Sequence, residues 1–262
     1  MTTYGITRSE LGELAPEIYN DFRNANGPFL AEHMPEHQVR GGFSNDSEYC
    51  IFLTLIASID KRKETAGEEG LWNVGKRLWQ NERWAYQPKK LIENYEYSNL
   101  IDLFTKTMTF NYYEDPHVWY LNSLTLYRHY DSDPMNLLEE ADYDAPTLLN
   151  IVRKKRREQF LSLGGKKVGA LWIRLLHEEI QPLSNIQEVD IPVDSHIRGI
   201  TNKLLDADYS TAEVRKFWSD FCIEHDLIPV EIDQPLWLLD KYEDEWGEDY
   251  LRAKIETIYP ST

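Results

Sequence analysis

Apolar residues recur three and four positions apart along almost the whole chain, while the strict apolar–polar alternation of a half-buried strand is scarce. That period is the period of an α-helix with one buried face. Leu71, Trp72, Val74, Leu78 and Trp79 repeat at this spacing, and Leu100, Leu103, Phe104 and Met108 do the same. Ser44-Asn45-Asp46-Ser47 offers caps for a segment whose apolar residues Ile51, Leu53, Leu55 and Ile56 give way to a charged tail at 60–64. Asp115-Pro116 and Asp144-Ala145-Pro146 read as helix starts, because proline is tolerated in a first turn. The first carries the stripe Trp119, Tyr120, Leu124 and Tyr127; the second carries the basic run at 153–157. Ser210-Thr211-Ala212-Glu213 fits an N-cap with the glutamate of a capping box. The strand-like stretches at 188–193 and 227–232 are short and broken by proline. The expected fold class is all-α.

The 262 residues suit one domain made of two packed lobes. Lobe A is expected at about 1–130 plus 206–262, and lobe B, with the chemistry, at about 140–205. An apolar content of 42% is enough for a core, and eight tryptophans exceed core needs, so some are expected to line a pocket or cleft. No apolar run reaches 18 residues and no basic-plus-apolar leader opens the chain, so a cytoplasmic protein with no membrane partner is expected. A monomer is expected. Cys50 and Cys222 lie far apart without a CxxC context. They make no zinc site or disulfide framework and cannot supply the four thiolates of an iron–sulfur cluster, so no metal or cofactor is expected.

The net charge of −17 argues at first against nucleic acid, since phosphate contacts need cations. Its distribution changes that inference. Residues 151–203 hold ten Lys/Arg against six Asp/Glu, a local excess of +4, and the rest of the chain sums to −21. A basic island on an acidic body suits a local DNA cleft. The alternative is that the 153–157 run is a solvated helix end favoured by the dipole.

Inside this island Gly164-Gly165 separates two helical patterns and is followed by Lys166 and Lys167. Adjacent glycines permit positive φ and close approach of backbone. The first turn of the next helix leaves N–H groups that suit a phosphate oxygen. An ordinary glycine-terminated helix is the plainer alternative. Further on, Ile191-Pro192-Val193-Asp194-Ser195 places a carboxylate at another helix start, where it also serves as a simple N-cap.

Leu161-Ser162-Leu163-Gly164-Gly165-Lys166-Lys167 resembles the L-P-G-x-G-x-K hairpin of the helix-hairpin-helix DNA glycosylases with lyase activity, and Val193-Asp194-Ser195-His196-Ile197 matches their V-D-[ST]-H-[IV] element. Ser162 and Leu163 stand where the pattern has proline and its first glycine. The 27 residues from Lys167 to Asp194 and the Ile-Pro-Val-Asp approach are most similar to the archaeal 8-oxoguanine type. Ile228-Pro229-Val230-Glu231-Ile232-Asp233-Gln234-Pro235-Leu236-Trp237-Leu238-Leu239 resembles that type's I-P-x-x-x-D-x-x-x-W-L-[IL] element, and Gly67-Glu68-Glu69-Gly70-Leu71-Trp72 its GEExxW element. The motifs are specific at 161–204 and 228–239.

The resemblance implies a two-lobed helical glycosylase fold, with Lys167 as nucleophile and Asp194 as the carboxylate that stabilises oxocarbenium-like charge and moves protons. It implies that Asp233, Trp237 and the position of Leu171 contact the extruded base, and that Gly164, Gly165 and Lys166 meet the DNA backbone. The family has an aromatic residue where this chain has Leu171, with Trp172 next to it on another helical face, so the reaction is better indicated than the base. For attack, the Lys167 amine must be neutral, and burial beside Lys166 and Arg174 favours the neutral form. The resemblance implies excision of an 8-oxoguanine-like base from double-stranded DNA, at the nucleoid. Two alternatives remain at this level: a glycosylase for bulky modified bases such as those of phage DNA, in a defence role, and a non-catalytic DNA-binding protein. His117 and His196 are expected to be structural hydrogen-bonders, and Trp237 as a core residue is the plainer reading.

Overall fold

A computed structural model describes residues 3–31, 34–60, 70–107, 114–156 and 159–259, with Gln38 by its backbone only. The described residues form thirteen α-helices and no strand; an isolated bridge between Asp144 and Ser184 is the nearest approach to a sheet. None of these helices is long and apolar enough to cross a membrane. The helices are α1 (Arg8–Arg23), α2 (Asp46–Ile59), α3 (Leu71–Asn81), α4 (Pro88–Asn94), α5 (Tyr97–Thr107), α6 (Glu114–His129), α7 (Met135–Glu140), α8 (Ala145–Asn150), α9 (Lys166–Glu179), α10 (Ser195–Leu205), α11 (Thr211–Glu224), α12 (Pro229–Lys241) and α13 (Glu248–Ile258). The all-α expectation holds.

The chain divides into two compact units, Met1–Met34 with Val189–Thr262, and Pro35–Glu188. These boundaries differ from the expected lobes at about 130–140 and 205. Of the N-terminal lobe expected to join the C-terminal helices, the described residues up to Met34 do so, α1 packing on α12 and α13, while α2 packs on α6 and α9. Lys167 and Asp194, expected in one lobe, therefore belong to different units.

In the first unit Leu11, Leu14 and Ile18 of α1 join Ile197, Ile200 and Leu204 of α10, Trp218 and Phe221 of α11, and Ile232, Leu236 and Leu239 of α12 in one core. The buried Trp218 indole donates to Thr201 Oγ1 at 2.9 Å, so its N–H is satisfied without water. Ser210 and Glu213 form the expected capping box at α11.

In the second unit α2 is buried at every position from Tyr49 to Ile59, as a helix apolar on all sides must be. Asn45 caps it by accepting from Glu48 N at 2.9 Å. Trp119 and Trp172 are fully buried, donating to Ala85 O at 2.8 Å and Thr54 Oγ1 at 3.1 Å. Five of the eight tryptophans are core residues; Trp84, Trp237 and Trp246 are part-exposed. Asp144 caps α8 and Pro146 lies in its first turn as expected. The basic run does not continue an α-helix, because residues Ile151–Lys155 widen into a π turn. Residues 61–69, with most of the charged tail and of the GEExxW element, and Met108 and Arg157 lie outside the described residues.

Candidate active site

In the second unit, α8 and its π turn precede α9, with the described residues 159–165 forming the turn that leads into α9. The left-handed residue of the loop is Ser162, at φ +66°; neither Gly164 nor Gly165 adopts positive φ. The expectation that the glycines supply the left-handed conformation is thus corrected. Their role is close approach. A Cβ on Gly164 would stand 3.0 Å from Val152 O and 3.3 Å from Arg153 Cα, and one on Gly165 would stand 2.9 Å from Ser162 O. The π turn is the surface against which Gly164 lies. Gly169, one turn into α9, is tighter still: its Cβ would meet Leu163 O at 2.5 Å.

The loop's backbone is held by side chains from elsewhere in the unit. Asn122 Oδ1 accepts from Leu161 N at 2.9 Å, and Asn122 Nδ2 donates to Leu161 O at 3.2 Å. Thr125 Oγ1 donates to Gln159 O at 2.7 Å, and Arg153 Nε donates to Gly164 O at 3.2 Å. Gly165 N closes the turn on Ser162 O at 2.7 Å. Leu163 is fully buried and anchors the turn from below.

Gly165 is the N-cap of α9 and offers no side-chain cap to the first turn, which Lys166 and Lys167 open. Lys166 is exposed and Lys167 half-buried. Lys167 Nζ lies 3.9 Å from Asp60 Oδ1. At that distance and exposure an ion pair contributes about 0–1 kcal/mol. Arg174 does not act as the expected cationic neighbour: its side chain is buried and bonded to the Glu36 carboxylate, two helical turns along α9. Leu171 is also in the core, at 7% exposure, and Trp172 beside it is fully buried. Neither is displayed for stacking in this structure, so the expectation that Leu171 contacts a base is not carried by its placement.

In the first unit Asp194 caps α10. Its Oδ1 accepts from His196 N at 2.8 Å and Ile197 N at 3.1 Å. His196 then turns its ring to Asp240: Nδ1 lies 2.8 Å from Oδ2. Lys203 Nζ holds the other oxygen of Asp240 at 3.1 Å and Glu243 Oε2 at 2.5 Å. Burial raises the Asp240 pKa, but the bonds from His196 and Lys203 outweigh it and hold the carboxyl below its ordinary value. Burial lowers the Lys203 pKa, and its bonds to Glu243 and Asp240 outweigh that and raise it. Gly199 makes room for this network, since a Cβ there would be 2.9 Å from Asp240 Oδ1.

The His196 ring also meets Trp237 edge-on, with centroids 5.1 Å apart, and Lys241 Nζ lies 4.9 Å over the indole. Asp233 is one turn before Trp237 on α12 and is buried. The structure thus gathers Asp194, His196 and Trp237 by direct contacts, with Asp233 on the helix that carries Trp237. His196 is the hydrogen-bonder the sequence suggested. Asn122, Gly169, Asp240 and Lys203 were not singled out from the sequence. Asn122 and Thr125, two polar residues three apart on the helix of the buried Trp119, were the available signal for the loop clamp.

The basic island is smaller in exposed charge than in composition. Lys155 is paired with Glu140, Arg156 bonds Tyr130 Oη at 2.9 Å, and Arg174 and Lys203 are buried with carboxylate partners. Among the described residues Lys154, Lys155, Lys166 and Arg198 are its exposed members. Among the described residues no group of three or more His, Cys, Asp or Glu is arranged to hold a metal ion. No protein-family model matches the chain, and no curated protein matches it.

Proposed function

We propose that this chain is a DNA N-glycosylase with lyase activity that removes a modified, 8-oxoguanine-like base from duplex DNA and works at the nucleoid. One observation carries the reading: Lys167 stands in the first, side-chain-uncapped turn of α9, directly after a hairpin whose backbone is fixed from both flanks. Such a start suits a backbone phosphate, because the N–H groups of a first turn and the positive helix end face the same way. A lysine fixed there is set close to the sugar that follows the phosphate.

A base inside a duplex must leave the stack before its glycosidic bond is reachable. The Lys167 amine then attacks C1′, the C1′–N bond breaks, and the base departs with the electron pair and takes a proton. Nitrogen then loses one proton, and its lone pair expels O4′, which leaves with the C1′–O4′ electron pair and takes a proton, so the ring opens to an iminium; removal of a C2′ proton expels the 3′ phosphate by elimination. Asp194, its carboxylate oriented by two N–H groups, is the group proposed to stabilise the charge that develops at the sugar and to move protons. Trp237 and Asp233 are the proposed base contacts, and Gly164, Gly165 and Lys166 the proposed backbone contacts.

Borohydride reduction of the iminium tests this directly. With a panel of modified-base duplexes, the wild type gives a covalent protein–DNA adduct and Lys167→Ala gives none, while stability changes by about 0.5 kcal/mol or less, as for surface substitutions. No adduct and no abasic product from any duplex overturns the reading, and salt-sensitive binding alone would then mark a non-catalytic DNA-binding protein.

The burial of Leu171 where the family has a stacking aromatic favours a second reading of the substrate: a bulky modified base, such as those of phage DNA, removed by the same chemistry. Excision of 8-oxoguanine in preference to hypermodified bases in the same panel excludes it.

A further inference from the structure

We propose, on the reading of Lys167 as the nucleophile, that Asn122 is a positioning residue: from α6 it sets the backbone of the hairpin and so the place of the α9 lysine. Asn122 is fully buried, and a buried amide is costly unless its donor and acceptor are both used. Here both are used on a single residue. Its Oδ1 takes the Leu161 N–H at 2.9 Å and its Nδ2 reaches the Leu161 carbonyl at 3.2 Å, so the side chain pairs with the loop as a neighbouring strand would. Thr125, on the same face of α6, adds a bond to Gln159 O at 2.7 Å.

Five residues separate Leu161 from Lys167, and their freedom is small. Leu163 is buried, its carbonyl lies against Gly169, and Gly165 N is bonded to Ser162 O. A shift at Leu161 therefore travels to the first turn of α9 rather than being absorbed in the loop. The anchor itself does not move easily, because α6 is packed against α2, α4 and α5. Misplacing a reacting group by about an ångström is enough to cost on the order of a hundredfold in rate.

The test uses the full chain and three variants. Asn122→Leu keeps the approximate volume and removes both bonds. Asn122→Asp keeps the acceptor for Leu161 N–H and loses the donor. Trp119→Phe removes a buried bond of the same helix that does not touch the hairpin. Amide exchange of the hairpin, the unfolding midpoint and the single-turnover rate of borohydride trapping are measured on folded protein. Asn122→Leu is expected to raise exchange at Leu161 and slow trapping at least tenfold, with Asn122→Asp between it and the wild type. Trp119→Phe is expected to lower the midpoint without slowing trapping. Trapping within twofold of wild type in Asn122→Leu overturns the proposal, as does equal slowing in Trp119→Phe; if Asn122→Leu does not fold, Asn122→Asp decides by the same twofold limit. Unchanged exchange at Leu161 overturns the clamp whether or not an adduct forms. A wild type that gives no adduct overturns the lysine reading and the catalytic role of Asn122 with it, while exchange still reports the clamp, so the two failures are told apart.

Discussion

Helix α9 begins at Gly165, which has no side chain to cap it, whereas α10 begins at Asp194, whose Oδ1 accepts from His196 and Ile197 at 2.8 and 3.1 Å. The start of α10 is ordered from within: the cap is one residue from the helix, and His196 ties the first turn, as Lys203 ties the last, to Asp240 of α12. The start of α9 is ordered from outside, by Asn122 some forty residues earlier, by Arg153 and by close packing at Gly164 and Gly169. An uncapped start keeps its N–H groups directed at an incoming anion; a capped start keeps a carboxylate in place. Substitution of Asp194 should therefore separate function from stability cleanly, while a substitution that disturbs the close packing at the start of α9 should couple them.

The largest contrast is at Asp194. Asparagine caps a helix as well as aspartate does, so Asp194→Asn should leave stability within about 0.5 kcal/mol of wild type, while Asp194→Ala loses about 1 kcal/mol. Both should lose base release by roughly 10²–10⁴, the usual contribution of a proton-transferring group. Denaturant unfolding and single-turnover product release measure the two quantities. An Asp194→Asn variant that retains turnover reduces Asp194 to a cap.

Next come two glycines, one in each helix. Gly169→Ala drives a Cβ to 2.5 Å from Leu163 O, a backbone atom that cannot step aside, and overpacking of this kind costs about 1–3 kcal/mol. Gly199→Ala meets the Asp240 carboxylate at 2.9 Å, the end of a side chain that can turn. The first should be the more destabilising by thermal unfolding and should also slow trapping. Equal losses would mean that the two starts are equally rigid.

These differences mark what the sequence could and could not carry. Asn45, Asp144 and Ser210 were legible as caps because a cap acts over three residues, and the helices followed from their 3.6-residue period. Asp194 was legible for the same reason. The bond from Asn122 to Leu161 and the Glu36–Arg174 pair were not, since nothing local marks which distant backbone or carboxylate a polar side chain will meet. The grouping of α1 with α10–α13 was hidden likewise, because chain order carries no direct record of tertiary packing. The resemblance to a glycosylase rests on residues 161–204, and within that span the structure fixes how each of two helices starts.

A smaller effect distinguishes the starts by pH. The Asp240 carboxyl is held below its ordinary value by His196 and Lys203 against the opposing effect of burial. A lowered folded pKa contributes stability that is full above the unfolded value, about 3.9, and is lost as pH falls through the folded one. Asp240→Asn should cost about 1–2 kcal/mol near pH 7, typical of hydrogen bonds to a charged group. The gap between variant and wild type should close as pH drops below about 4. Urea unfolding across pH 2–7 reads this; a gap that persists at low pH assigns the loss to packing rather than to the charge.

The smallest effect is at the hairpin itself. Ser162 takes φ +66°, a region that costs a residue with a Cβ about 1–2 kcal/mol. Glycine removes that cost but adds about 0.5–1 kcal/mol of chain entropy to be lost on folding. Ser162→Gly should therefore stabilise by about 0.5 kcal/mol, with a small rise in the unfolding midpoint and no loss of trapping. Gly164→Ser goes the other way: its φ is not left-handed, so it gains nothing from glycine's freedom, and its Cβ would press on Val152 O at 3.0 Å. Exchanging the two residues tests the turn as a whole. If the double variant is as stable as wild type, position 164 tolerates a Cβ and the π turn is free to give way; if it is less stable than Ser162→Gly alone by more than about 1 kcal/mol, close approach at Gly164 is what holds the start of α9.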